Sequence, residues 1–501
     1  MSAPAYDIRI SSGGRVLVDT PGFPLEAGAV TFLFGESGIG KSLIGKTLFG
    51  ILDPADFHAS VNGEPYDAWR DSPSAADARA AGFFVFQEPS THLNPLATLR
   101  EQLGEGTLRH APDPVAAAAE LFPGGDRGAL PRILPVYPGP HRPSGGEKQR
   151  ILVSMAFTRM DIGLASGGES RGLYVFDEPT GSLDREARDR FLDRLFARFR
   201  LRHETILLIT HDYGMIAYVR SRHRDLESRF RFLELALVGG SARSRAFEPG
   251  RFLSWLAAQR PEPAETARPP VLRVESGIAV YDRVLAFSRP GGASGDTALA
   301  VHPGELVYLK AGSGVGKTTV AKIIIGLEQA AHFRIEIDGV RLGEVSPRRY
   351  WRKELWGKKM TMAFQHADEA LNPKASVAAT LRILSRRSLR GRGALRASLG
   401  RLFDEGELDA LIGRKVWQLS GGQKQRLNLL RALVLDTPLV ILDEPLSALD
   451  FESIDRVLSV MREVRSRGAA ILLISHNEDI FDRLVSPASV YTLRSAEARP
   501  S

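Results

Sequence analysis

The sequence predicts an α/β fold repeated in tandem, each copy centred on a mostly parallel sheet. Three observations predict it. Four motifs recur in the same order in the two halves. Short apolar runs alternate with amphipathic helical stripes, the pattern of strands separated by crossover helices. The 501 residues are enough for about two to four domains, each with its own core.

The repeat is read element by element. GESGIGKS from Gly35 to Ser42 returns as AGSGVGKT from Ala311 to Thr318, each after an apolar run, Val30 to Phe34 or Leu306 to Leu309. FQEPSTHLNP at Phe86 returns as FQHADEALNP at Phe364, SGGEKQR at Ser144 as SGGQKQR at Ser420, and VFDEPTGSLD at Val175 as ILDEPLSALD at Ile441. Lys41 and Lys317 are 276 residues apart, as are Ser144 and Ser420, but Asp177 and Asp443 are 266 apart. The first copy therefore carries about ten extra residues, placed around Ala165 to Gly172. A second SGGE at Ser166 opens no periodic helix and reads as a Gly-rich surface loop. Phe191, Leu192, Leu195, Phe196 and Phe199 form one helical stripe, and Ile454, Val457, Leu458, Met461 and Val464 its counterpart; both read as core faces. The expected division is a first domain over 1–239, a connector over 240–270 stiffened by Pro261, Pro263, Pro269 and Pro270, and a second domain over 271–501.

Composition removes several kinds of chemistry. The chain has no cysteine, so disulfides, thiolate metal sites and Cys nucleophiles are excluded. No apolar run approaches the roughly 20 residues a membrane helix needs, and MSAPAYDIRI lacks an export pattern, which predicts a cytosolic chain. The net charge of +7 is modest, and its Arg-dominated cations read as scattered, so no nucleic-acid partner is expected.

GxxxxGK[ST] between a strand and a helix is a P-loop, in which backbone N–H groups and a helix N-terminus wrap a phosphate chain. The first comprises Gly35, Glu36, Ser37, Gly38, Ile39, Gly40, Lys41 and Ser42. The second comprises Ala311, Gly312, Ser313, Gly314, Val315, Gly316, Lys317, Thr318 and the following Thr319. Lys41 and Lys317 would reach the β- and γ-phosphates of ATP, and the hydroxyls of Ser42 and Thr318 would bind Mg²⁺. Asp177 and Asp443, at the ends of apolar strands, would hold the Mg²⁺ shell. The adjacent Glu178 and Glu444 would polarise the attacking water. Ala311 stands where the opening Gly belongs, and a Cβ is tolerable there only at negative φ.

With these motifs the chain resembles the ATP-binding cassette ATPases, as a tandem fusion of two nucleotide-binding subunits. The resemblance implies that each half adds an antiparallel β subdomain and a helical subdomain to its parallel core. It also assigns roles. Gln87 and Gln365 match the Q-loop that senses Mg²⁺ and water, Asp184 and Asp450 the D-loop, and His211 and His476 the switch histidine that holds the γ-phosphate. The helices opening at Ser144, Gly145, Gly146, Glu147 and at Ser420, Gly421, Gly422, Gln423 match the signature that contacts ATP held by the opposite cassette. Two intramolecular composite sites are therefore expected, Lys41 with Ser420 and Lys317 with Ser144. The second collects the departures, Ala311, Pro143 and Glu147, and is expected to hydrolyse more slowly. Tyr281 matches the adenine-stacking position, for which the first copy shows no equivalent.

Leu93-Asn94-Pro95 and Leu371-Asn372-Pro373 after the Q-loops resemble the importer branch for oligopeptides, dipeptides, nickel and metal-binding opines. That implies an ATP-hydrolysing energy-coupling subunit, peripheral on the cytoplasmic face of the inner membrane. Its partners would be two transmembrane permease subunits, docked on 88–143 and 366–419, and an extracytoplasmic substrate-binding protein. The alternative is a non-transport tandem ATPase, either a ribosome-binding translation factor or an accessory of a cytosolic enzyme complex. The D-loops GSLD and SALD and the broken connector disfavour the ribosome factor.

Overall fold

The computed structural model describes residues 5–104, 113–122, 128, 130–135, 143–167, 172–181, 183–261, 268–289, 297–312, 314–384 and 392–497. The chain forms two compact units, Met1–Leu253 and Ser254–Ser501.

In the first unit, Val30–Gly35, Thr205–Ile209, Leu173–Asp177 and Phe83–Val85 lie side by side in parallel. Their near-continuous apolar sequences suit burial on both faces. Phe230–Val238 flanks Val30–Gly35 in parallel, and Ala5–Ser12, Arg15–Pro24, His58–Val61, Glu64–Pro65 and Ser241–Ala246 bring the sheet to ten strands. The second unit repeats the parallel order with Leu306–Lys310, Ala470–Ile474, Leu439–Asp443 and Met360–Ala363. Here Leu299–Val301, Leu272–Val274, Ile335–Ile337 and Val340–Leu342 form a separate antiparallel sheet. Between Q-loop and SGG motif run short helices, Leu99–Gly104, Pro114–Ala119 and Leu130–Ile133 in the first unit and Val377–Leu384, Arg392–Leu399 and Glu405–Ile412 in the second. Both predicted helical stripes are buried on Arg185–Leu201 and Phe451–Ser466.

Two details differ from expectation. The proposed domain end at 239 falls inside a hairpin. Phe230–Val238 turns through Gly239 and Gly240 into Ser241–Ala246, which pairs back in antiparallel register and joins the first sheet. A Gly-Gly pair between strands serves as a tight turn as readily as a linker. The segment expected to be an extended connector continues as helix Pro249–Ala258, and Pro263 lies outside the described residues. The ten extra residues, for their part, mostly lengthen a helix. Gly145–Ala165 has 21 residues against 13 in Gly421–Leu433, while 168–171 lie outside the described residues.

Candidate active site

Strand register puts the site together. Leu33 and Asp177 both pair with Ile209, and Leu309 and Asp443 both pair with Ile474. The P-loop, the Asp-Glu pair and the histidine thus leave one sheet edge at the carboxyl ends of adjacent strands, where open α/β sheets bind ligands.

Each P-loop closes on its own lysine. Lys41 Nζ donates to the carbonyls of Gly35 and Glu36 at 2.6 and 3.1 Å, and Lys317 Nζ to those of Ala311 and Gly312 at 2.7 and 3.3 Å. Helices Lys41–Phe49 and Lys317–Ile324 start directly after Gly40 and Gly316, whose φ values of 117° and 114° are glycine conformations. At Gly35, φ is 141° and a Cβ would meet the Leu235 carbonyl at 2.6 Å. Ala311 escapes that constraint. Its strand ends one residue earlier, at Lys310, and Ala311 is not among the residues of positive φ. In the first unit Ser37, Gly38, Gly40, Lys41, Ser42, Gln87 and Glu178 line one cavity of about 270 Å³. Gln365 follows strand Met360–Ala363, and Ser313 lies outside the described residues.

The two glutamates share a backbone and differ in setting. Both hold non-glycine positive φ, 49° at Glu178 and 50° at Glu444, a strained conformation found at functional positions. Each is fixed by its amide donating to the neighbouring strand, Ile209 or Ile474. Glu178 lies 2.8 Å from His211 Nδ1 and 3.7 Å from Lys41. Burial works to raise its pKa, but the His211 and Lys41 charges outweigh it and hold it below the usual value. His211 is correspondingly raised, Glu178 overcoming burial. Glu444 is 3.6 Å from His476 Nε2 and instead accepts from the Ser475 hydroxyl and the His476 amide, both at 3.0 Å. Burial pushes it up to about 7.

Asp177 and Asp443 are both raised to about 6 by burial. One Asp177 oxygen and both Asp443 oxygens are buried without a hydrogen-bond partner. Buried, unsatisfied carboxylate oxygens beside a hydroxyl suit a hard divalent cation. Among the described residues no three His, Asp or Glu side chains group as a metal site. Such a site would leave phosphate oxygens and water to complete the coordination.

Ser144 and Ser420 are N-caps with reciprocal capping boxes. Ser144 Oγ accepts from the Glu147 amide at 3.3 Å while the Glu147 carboxylate accepts from the Ser144 amide at 2.7 Å. Ser420 and Gln423 repeat this at 3.1 and 3.2 Å. The first box thus sets a carboxylate at the terminus where the second has a neutral amide, which opposes an incoming anion. Tyr281 sits in the turn between Ile278–Val280 and Arg283–Ser288, 81% exposed, its hydroxyl donating to Glu328 at 2.9 Å. The first unit's hairpin turns on Gly13 and Gly14, so no ring is presented there.

Some contributors carried no motif. Arg188, almost fully buried, reaches Asp212 at 3.0 Å and Asp189 at 2.7 Å, tying the helix after the D-loop to the residue beside His211. The second copy has Ile454 and Asn477 at those positions. The D-loop acids Asp184 and Asp450 cap their helices, accepting from Ala187 and Ser453.

These arrangements define two P-loop ATPase domains in one chain. The family model described as ABC transporter matches residues 18–181 and 295–447, and the chain belongs to that family as a tandem ATPase. Glutathione import ATP-binding protein GsiA of Shigella dysenteriae serotype 1 is 27% identical over 94% of this chain and 81% of its own length. Peptidoglycan transport ATP-binding protein YejF of Agrobacterium fabrum is 29% identical over 95% and 88%. Among solved structures, an RNase-L inhibitor aligns with TM-score 0.60 at 18% identity, covering 97% of this chain and 89% of its own. Archaeal ribosome recycling factor aABCE1, in complex with stalk protein aP1, aligns at 0.61 and 19% identity with the same coverage. At that identity the likeness shows the shared fold.

Proposed function

We propose that this chain is the ATP-hydrolysing subunit of an importer for small peptides or similarly sized cargo, with nickel and metal–opine complexes as the chemistry next nearest. The observation that carries the reading is identity of 27–29% spanning both halves to proteins named for glutathione import and peptidoglycan transport. The ribosome factors share the fold at lower identity. No helix among the described residues is long and apolar enough to cross a membrane. Transport would therefore need two permease subunits, with this chain peripheral on the cytoplasmic face, and a substrate-binding protein outside.

In this reading the P-loop amides and Lys41 or Lys317 bind the phosphates, and the switch histidines His211 and His476 orient the γ-phosphate. Glu178 and Glu444 accept the proton of the attacking water. The N-terminal amides of the SGG helices, opening at Ser144 and Ser420, would contact a γ-phosphate. Ser42 with Asp177, and Thr318 with Asp443, would hold Mg²⁺, which neutralises developing phosphate charge when bound. Conformational work follows when ATP binds the closed state better than the open one. Affinity purification from solubilised membranes tests the assignment. Recovery with polytopic permeases is the expected result, and recovery with ribosomes, lost at high salt, would replace the importer by the alternative.

A further inference from the structure

The segment between the antiparallel sheet and the Q-loop strand differs sharply between the halves. Residues 66–82 hold two basic and three acidic side chains, whereas 343–359 hold six basic and two acidic. More than half of the chain's net +7 therefore sits in one short segment of the second unit. Three of the six are lysines, in a chain whose cations are mostly arginine.

The fold holds this segment rigidly. Arg348–Tyr350 and Trp351–Leu355 form one continuous helical stretch, with Trp351 and Leu355 buried beneath it. Trp351 Nε1 donates to the Ile324 carbonyl at 3.2 Å and Trp356 Nε1 to that of Ile325 at 2.8 Å. Gly326 admits the Trp351 ring, since a Cβ there would come within 2.6 Å of it. The two acids are already engaged, Glu354 with Lys358 at 3.1 Å and Glu344 with His332 at 3.1 Å, and Lys359 pairs with Asp338. Arg349, Arg352 and Lys353 are exposed and have no carboxylate partner among the described residues. Trp356, 36% exposed, and Val345, 94% exposed, lie in the same segment.

We propose that Arg349, Arg352 and Lys353, with Trp356 beside them, form a docking surface for the anionic headgroups of a phospholipid bilayer. Uncompensated cations next to an exposed indole are the combination that binds membrane interfaces: the charges meet phosphate and the ring sits among headgroups. The cations are presented on a helical stretch anchored by two indole hydrogen bonds, so little ordering is needed on binding. The first unit, with a net acidic segment at the same place, does not share the surface. The proposal deepens the peripheral placement above and rests on it for its setting, but the binding belongs to the isolated chain.

The test uses the full-length protein without permeases, sedimented with vesicles of phosphatidylcholine alone or with about a third phosphatidylglycerol. Binding is expected only to the anionic vesicles. The triple variant Arg349→Ser/Arg352→Ser/Lys353→Ser should weaken it by roughly a hundredfold, at about fivefold per cation, with basal ATPase activity unchanged. A control of equal charge, Arg9→Ser/Arg222→Ser/Arg229→Ser, should bind as the wild type does. The proposal is overturned if the wild type ignores anionic vesicles or if the control loses as much as the triple variant. It is overturned equally if single-stranded RNA binds through these residues more tightly than the vesicles do. Failure here leaves permease co-purification untouched, so the two readings fall separately.

Discussion

At Glu178 and Glu444 the same three letters, Asp-Glu-Pro, yield two electrostatic settings. His211 and Lys41 hold Glu178 ionised, while Glu444 has a hydroxyl and an amide for company and is pushed up to about 7. Near neutral pH part of the Glu444 population is protonated and cannot take a proton from water, whereas Glu178 is held ionised. Glu178→Gln is therefore expected to remove most of the turnover, about 10²-fold at its own site, and Glu444→Gln only a minor share. Equal residual ATPase activity in the two variants would end the asymmetry. Tyr281→Ala should weaken ATP binding at the second site by about 1–3 kcal/mol, as expected for loss of base stacking. Fluorescent-nucleotide titration in a Lys41→Ala background reads it, and an unchanged affinity would remove Tyr281 from the pocket. The motif residues were legible because phosphate chemistry dictates type and spacing together. The His211–Glu178 and Arg188–Asp212 pairs were not, because they depend on rotamers and on strands distant in sequence.

At the scale of elements, helix stripes were read directly, since 3.6-residue periodicity is a local property. The turn at Gly239 and the helix at Pro249–Ala258 were missed, because neighbouring strands and packing decide whether such a segment folds back. Packing between Arg185–Leu201 and the chain after Gly214–Arg222 also hides a titratable group. His223 lies buried between Arg200, 3.1 Å from Nδ1, and Asp193, 3.0 Å from Nε2, with Asp225 bound to the same Arg200 and the rings of Phe196 and Tyr218 alongside. Burial lowers its pKa, Arg200 adds to this, and Asp193 and Asp225 only partly oppose it. The unfolded state then takes the proton more readily, so the contribution is complete above about pH 6.5 and is lost as pH falls below it. Thermal melts of wild type and His223→Gln should converge as pH drops from about 7.5 to 5.5. A gap that stays constant with pH would show that His223 acts by packing alone.

For the whole molecule, duplication was the most legible feature, because four motifs in fixed order leave no other reading of 501 residues. Where one half stops was the least legible, and it has a measurable consequence. Each unit holds its own apolar core, P-loop and Asp-Glu strand, so each should fold and bind ATP when expressed alone. The second unit, however, begins before its first strand. Trp255 packs edge-on against Phe451, with ring centroids 5.3 Å apart, and its indole donates to Asp455 at 2.8 Å. Arg462 donates to Gln259 at 2.6 Å. A fragment starting at 271, the boundary that proline and composition suggest, loses these contacts and exposes Phe451. Edge-to-face packing and a hydrogen bond to a charged group together suggest a loss of about 2 kcal/mol. For a domain of this size that is roughly 4–8 °C in melting temperature. Fragment 249–501 should therefore melt higher than fragment 271–501, with Trp255→Ala in the longer fragment recovering most of the difference. Identical melting of the two fragments would place the true start of the second unit after the prolines.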